Sequence, residues 1–115
     1  MARFVGAFSL SSFERVGEAA GDGPAFTDGM LSYDPSGRVS VHLANRENYR
    51  AYYGRYDVNV SRGVVYHAVD GGSRPDVRDS TLSHGYELTE DGDTLVLSLM
   101  GEDGVESRAT WRRHR

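Results

Sequence analysis

Period-two alternation is the feature that most narrows what this chain can fold into. It is clearest between residues 51 and 69, AYYGRYDVNVSRGVVYHAV. Tyr52, Gly54, Tyr56 and Val58 fall on one side of the run, with Tyr53, Arg55, Asp57 and Asn59 on the other. That spacing predicts a half-buried antiparallel strand, turned at Ser61-Arg62-Gly63 into a second one. The inward face carries two phenols, whose hydroxyls need partners once they leave water. His67, in the second strand, is the nearest titratable group. A strand pair with a wet inner face suits the wall of a cavity better than a plain core.

The same alternation runs through most of the chain. Residues 4–16 put Phe4, Gly6, Phe8, Leu10 and Ser12 on one face. A small, polar, Gly-rich loop follows at 17–28, and a short strand at 29–34 carries Leu31 and Tyr33 on one side. Asp34-Pro35-Ser36-Gly37 has Pro and Gly placed for a tight turn. Residues 38–44 alternate Val39, Val41 and Leu43 against Ser40 and His42, before a polar connection at 45–50. After a second long loop at 70–80, residues 81–89 turn Leu82, His84, Tyr86 and Leu88 inward. A turn at 90–93, a strand at 94–100 with Leu95, Leu97 and Leu99, a turn at 101–104 and a strand at 105–112 complete the chain. The last strand sets Val105, Ser107, Ala109 and Trp111 on one face.

Eight strands in sequential hairpins predict an all-β, single-domain, eight-stranded antiparallel up-and-down barrel, because closure removes the exposed edges of such a sheet. Successive connections of that topology alternate between the two ends. The short turns near Ser36, Arg62 and Gly92 then fall at one end, and the long connections 17–28, 45–50 and 70–80 at the other. An eight-stranded barrel has room for its own side chains or one small ligand. The end with long loops is the expected mouth.

Composition sets the outer limits. A chain of 115 residues makes one domain with one modest core. Fourteen glycines against three prolines suit a chain of many tight turns. The net charge of −4 lacks the basic field that nucleic-acid backbones require. The basic end, Arg112-Arg113-His114-Arg115, reads as a solvated, frayed terminus. With no cysteine there is no disulfide, thiolate metal site or cysteine nucleophile. No apolar run is long enough for a signal peptide or a bilayer span, so a cytoplasmic protein without a membrane partner is expected. A homodimer is left open.

Several segments together resemble the bacterial and fungal lipocalin-like domain family. FVGAFSLSSFE is similar to its LxGTWxLxSxE opening, and GMLSYDPSGRVSV to its GxLxYxxxGxMSV block. AYYGRYDV is similar to AYxGxY, and VVYHAV to TVTH; EDGDTLVLS and the closing TWRR complete the series. The likeness covers nearly the whole chain in order. It implies a small lipocalin-like barrel, and some such relatives act as cyclases or isomerases near natural-product pathways. The chain departs from the pattern where Phe8 replaces the usual Trp, where His84-Gly85 stands at a frequent Arg before the aromatic, and in a shortened loop before Tyr49.

Candidate site residues follow from facing. His84 lies inward with Leu82, Tyr86 and Leu88. The facing of His67 depends on the turn: pairing Val60 with Val64 sends it outward opposite Asp57, and centring the turn on Arg62-Gly63 sends it inward. The polar positions of the TVTH segment favour inward. His84, His67 and Tyr56 are therefore the candidate catalytic groups, able to donate and accept protons near neutral pH. Tyr52, Tyr33, Tyr86, Phe8 and Trp111 are the candidate ligand contacts. The competing reading is a satisfied polar cluster that positions a ligand and does nothing to it.

The expected function is binding of one small, largely apolar molecule, without cofactor. A cofactor-free cyclase or isomerase of polyketide-like or terpenoid-like substrates is the alternative, with Tyr52 or Tyr56 stabilising an oxyanion. A third reading is a barrel filled by Phe4, Phe8, Leu31, Tyr33, Leu97 and Trp111. No metal is expected, since His67 and His84 lack a close-spaced ligand pair. Asp76 and Asp79 with Arg74 and Arg78 read as solvated loop charges, with a charged lid as the alternative. Ser12 and Ser107 are expected inward as small packing residues, and His42 outward.

Overall fold

The computed structural model describes residues 2–16, 26–100 and 106–114. Eight antiparallel strands close into a barrel in sequence order: β1 (Gly6–Val16), β2 (Asp28–Tyr33), β3 (Arg38–Ala44), β4 (Tyr49–Asn59), β5 (Val64–Gly72), β6 (Thr81–Leu88), β7 (Thr94–Met100) and β8 (Glu106–Arg113). Pairing of β1 with β8 completes the circle. The alternation has the predicted consequence, because Leu31, Tyr33, Val39, Val41, Tyr56, Val65, Leu95, Leu97 and Trp111 point inward and are buried. The connections 17–25 and 101–105 lie outside the described residues, as do Val105 and Arg115. No helix among the described residues is long and apolar enough to cross a membrane.

Two local irregularities decide which side chains reach the interior. In β1 the register against β8 shifts between Leu10, opposite Trp111, and Ser12, opposite Thr110. A bulge of this kind inserts one residue and reverses the parity beyond it. Ser12 is therefore exposed, against the sequence expectation, and Phe13 turns inward opposite Ala109. The β4–β5 turn is also longer than either register anticipated from sequence. Asn59 pairs with Val64, leaving residues 60–63 as the loop. The Asn59 side-chain oxygen accepts from the Arg62 amide at 3.2 Å and from the Ser61 hydroxyl at 2.9 Å. Gly63 takes φ of +65°, a left-handed conformation that glycine adopts without steric cost. Val60 is consequently a turn residue, and Val65, His67 and Val69 are the inward set.

Glycine also lets backbones and rings approach. A Cβ at Gly54 would stand 1.9 Å from the Ala68 carbonyl oxygen, where β5 carries the extra residue Asp70 between partners of Tyr53 and Gly54. A Cβ at Gly29 would lie 3.2 Å from the Trp111 ring and 2.5 Å from the His42 carbonyl. The space without it is where the indole sits.

The end bearing the short turns is sealed. A 3-10 helix, Ala2–Phe4, places the Phe4 ring edge-on to Tyr33 at 5.3 Å and to Tyr86 at 5.0 Å. Arg113 holds that segment down. Its guanidinium donates to the carbonyls of Gly92 (2.7 Å), Val5 (2.7 Å) and Arg3 (2.6 Å), and lies 4.5 Å from the centre of the Phe8 ring. His114 donates its amide to Ala7 and contacts the Ser9 hydroxyl through its ring. The basic terminus read as frayed is thus tied in through His114, because the carbonyls of the sealed end need donors that β8 supplies. Replacing Arg113 by Ala should cost about 3 kcal/mol, the range for losing hydrogen bonds to a charged donor, and Lys should restore only part because it lacks the fork. Urea unfolding with an unchanged slope reads this directly. A loss under about 0.5 kcal/mol would mean that ring packing alone seals the end.

Candidate functional site

The opposite end of the barrel holds a cavity of about 160 Å³. Its walls are mainly apolar: Val41, Leu97, Ala109 and Trp111 in the depth, and Phe13, Phe26, Leu43 and Val77 towards the loops. Phe13 and Phe26 meet edge to face at 5.2 Å, and the Arg50 guanidinium lies 5.5 Å from the Phe26 ring centre. The Arg50 guanidinium thus lies within cation–π range of the Phe26 ring. The cavity lies at the end that carries the long connections expected over 45–50 and 70–80. The β5–β6 connection contributes Arg74 and Val77, the latter from a 3-10 helix at Pro75–Val77. Asp79, read from sequence as a solvated or lid charge, adopts φ of +66° just beyond. The Asp76 side chain lies outside the described residues.

The polar part of the wall is organised by His67, which β5 sends to the barrel interior with no exposed surface. The Tyr33 hydroxyl contacts its Nε2 at 2.7 Å and the Tyr52 hydroxyl contacts its Nδ1 at 2.5 Å. A neutral imidazole has one N–H and one lone pair, so one tyrosine donates to the ring and the other accepts from it. Both nitrogens are thereby satisfied. Burial pushes the His67 pKa well below its ordinary value, and the nearby His84 adds to the effect. Tyr33 and Tyr52 move the opposite way, upward, chiefly through burial. All three groups are held neutral.

His84, on β6, lies beside it, the two imidazole centres 4.4 Å apart. Burial lowers its pKa to about 4, partly offset by a hydrogen bond with the Val65 backbone. Among the described residues, its Nδ1 has no hydrogen-bond partner, nor has the indole nitrogen of Trp111. Both side chains line the cavity.

Four of the eight residues singled out from sequence come together here: His67, His84, Tyr52 and Trp111. Tyr33 stands behind His67 and acts through it. The other three sit towards the sealed end. The Tyr56 hydroxyl donates to the Asp34 carbonyl at 3.2 Å, and its ring packs on Tyr33 at 4.6 Å. Tyr86 packs on Phe4, and Phe8 lies under Arg113. The alternation names the inward face but not the depth along it, which explains the separation. Phe13 was hidden by the β1 bulge, and Phe26 by lying outside any strand pattern. Ser107 lines the cavity, as its parity predicts, and His42 is exposed. Of the residues proposed to fill the barrel, Phe4, Phe8, Leu31 and Tyr33 pack below, while Leu97 and Trp111 border the cavity. Among the described residues no cluster of three or more His, Asp or Glu is placed to hold a metal.

The fold and cavity define a small closed β-barrel with an internal cavity. Two solved structures of the same architecture are designed proteins. A redesigned β-barrel matches with a TM-score of 0.61 at 12% identity, over 99% of this chain and 94% of that one. A de novo designed fluorescence-activating β-barrel matches with a TM-score of 0.59 at 15% identity, over 98% of this chain and 95% of that one. At such identities the likeness is one of fold alone. No protein-family model matches the sequence, and no curated protein matches it. The lipocalin-like resemblance therefore extends to barrel architecture and not to an assigned family.

The buried histidines tie stability to pH. Between its ordinary value of 6.5 and about 4, His84 takes up a proton in the unfolded chain but not in the folded one. Its contribution is complete above 6.5, declines through that window and levels off below about 4; His67 acts in the same direction. The loss attributable to His84 is about 3 kcal/mol. Denaturant unfolding from pH 7 to 4 should show this decline, and His84→Leu should flatten it. An unchanged slope in the variant would show that acid sensitivity arises elsewhere.

Proposed function

We propose that this protein binds one small, largely apolar molecule inside the barrel, entering from the loop-bearing end. The observation that carries this reading is the cavity itself: a mainly apolar space whose two histidines are held neutral, with Arg50 and Arg74 among the groups that border it. Its volume sets the size of the guest. An engineered apolar cavity of about 150 Å³ takes up benzene, whereas drug-sized ligands occupy roughly 300–1,000 Å³. A one-ring compound fits, and a multi-ring polyketide-like or terpenoid-like substrate does not. The designed fluorescence-activating barrel shares the architecture and supports a binder of this general kind.

Cyclase or isomerase chemistry is the weaker reading. General acid–base catalysis works best when the catalytic pKa lies near the operating pH. His84 at about 4 is a weak base at neutrality, and the lone pair of His67 is already engaged by a tyrosine. The Tyr56 hydroxyl is occupied at the other end of the barrel. These groups suit orientation of a ligand better than proton transfer.

Trp111 is the single tryptophan, buried in the cavity wall, so its emission reports occupancy. Toluene titrated into the protein should change that emission saturably, with one site. Ala109→Phe, which puts a ring into the cavity, should weaken binding by about tenfold or more while leaving the far-ultraviolet spectrum of the barrel intact. Toluene binding unaffected by Ala109→Phe, or no saturable response in the wild type, would contradict the reading.

A further inference from the structure

The charges that border the cavity have one sign. Among the described residues that line it, Arg50 and Arg74 carry permanent positive charge, and no Asp or Glu is present. His67 and His84 add no charge at neutral pH, because burial lowers both pKa values. The chain as a whole leans the other way, with 17 acidic residues against 13 basic ones. Two guanidiniums on the wall of an apolar space therefore select the sign of what binds beside them.

Both arginines belong to the end that carries the long connections. Arg50, near the start of β4, is half-buried, and its guanidinium lies 5.5 Å from the centre of the Phe26 ring, which also lines the cavity. Arg74 directly precedes the 3-10 helix Pro75–Val77. Its carbonyl accepts from the Val77 amide at 3.3 Å, so the turn that brings Val77 to the wall also fixes the Arg74 backbone. In the depth, Val41, Leu97, Ala109 and Trp111 offer no charge. A carboxylate placed there would lose its hydration with no counter-charge to offset the loss. Towards the loops it meets a planar guanidinium fork whose five N–H donors match carboxylate geometry and can serve the chain and a ligand together. A cation meets like charge at the same place.

We propose that the ligand class is a small monocarboxylate with an apolar body, benzoate being the simplest one-ring case. The body lies among the deep apolar residues and the carboxylate points towards Arg50, with Arg74 adding to the attraction. The proposal rests on the reading that the cavity binds one small, largely apolar molecule, and narrows it. Neutral rings of the same shape still enter, but gain nothing from either arginine.

Calorimetric titration of benzoate, benzamide and benzylamine at pH 7 and low salt tests this. Benzamide keeps the shape of benzoate without its charge, and protonated benzylamine reverses the sign. On the wild type, benzoate should bind about tenfold or more tighter than benzamide, with benzylamine weaker than either. Arg50→Gln should shrink the benzoate preference to within about threefold. Arg74→Gln, at an exposed position, should lower it by a smaller factor. The far-ultraviolet spectrum reports that each variant is folded. If benzoate and benzamide bind the wild type equally, the chain neutralises the positive lining itself and the carboxylate proposal is overturned, with the binding reading intact. A preference that survives in the folded double variant does not come from these arginines, and overturns it equally. If none of the three compounds binds, the binding reading fails and this inference with it. The wild-type order alone decides the question should the variants not fold.

Discussion

Pairing of β1 with β8 is the constraint on which the rest depends. Once the sheet closes at eight strands, the interior has a nearly fixed width, and every inward side chain competes for it. Large rings win at one end, where Phe4, Phe8, Tyr33 and Tyr86 pack together under the Arg113 clamp. At the other end the inward residues of β7 and β8 include the smaller Leu97, Ser107 and Ala109, and all three line the cavity.

Within that space, the buried histidines are tolerated because they are kept uncharged. A buried imidazolium would need a counter-ion or a solvent path, and no acidic residue is among the described residues that border the cavity. The tyrosine on each side of His67 gives the neutral ring a partner for its proton and a partner for its lone pair. The arrangement joins β2, β4 and β5 across the interior. It also explains why two histidines 4.4 Å apart coexist there: neither carries charge at neutral pH.

Much of this was legible in the sequence because antiparallel strands write their facing into parity. The barrel, its strand order and the buried faces of β2, β3, β4, β6 and β7 follow from alternation alone. Parity fails where the backbone inserts a residue. The β1 bulge exchanged Ser12 for Phe13, and the capping of the β4–β5 turn by Asn59 lengthened a loop that composition alone leaves ambiguous. His67 nevertheless faces inward, because the observed register differs by one residue from the register that would have expelled it. Parity is also silent about depth. Tyr52 and Tyr56 share a face, yet one borders the cavity and the other bonds the Asp34 carbonyl beyond its floor.

The central claim is that the two histidines of a mainly apolar cavity wall are neutral, and histidine ring chemistry reports it most directly. Long-range proton–nitrogen correlation of the imidazoles, followed by pH titration, assigns the protonation state of His67 and His84. The account predicts that both rings stay neutral between about pH 5 and 8. Uptake of a proton by either ring near the ordinary value of 6.5 would mean a charged interior close to neutrality, and would contradict it.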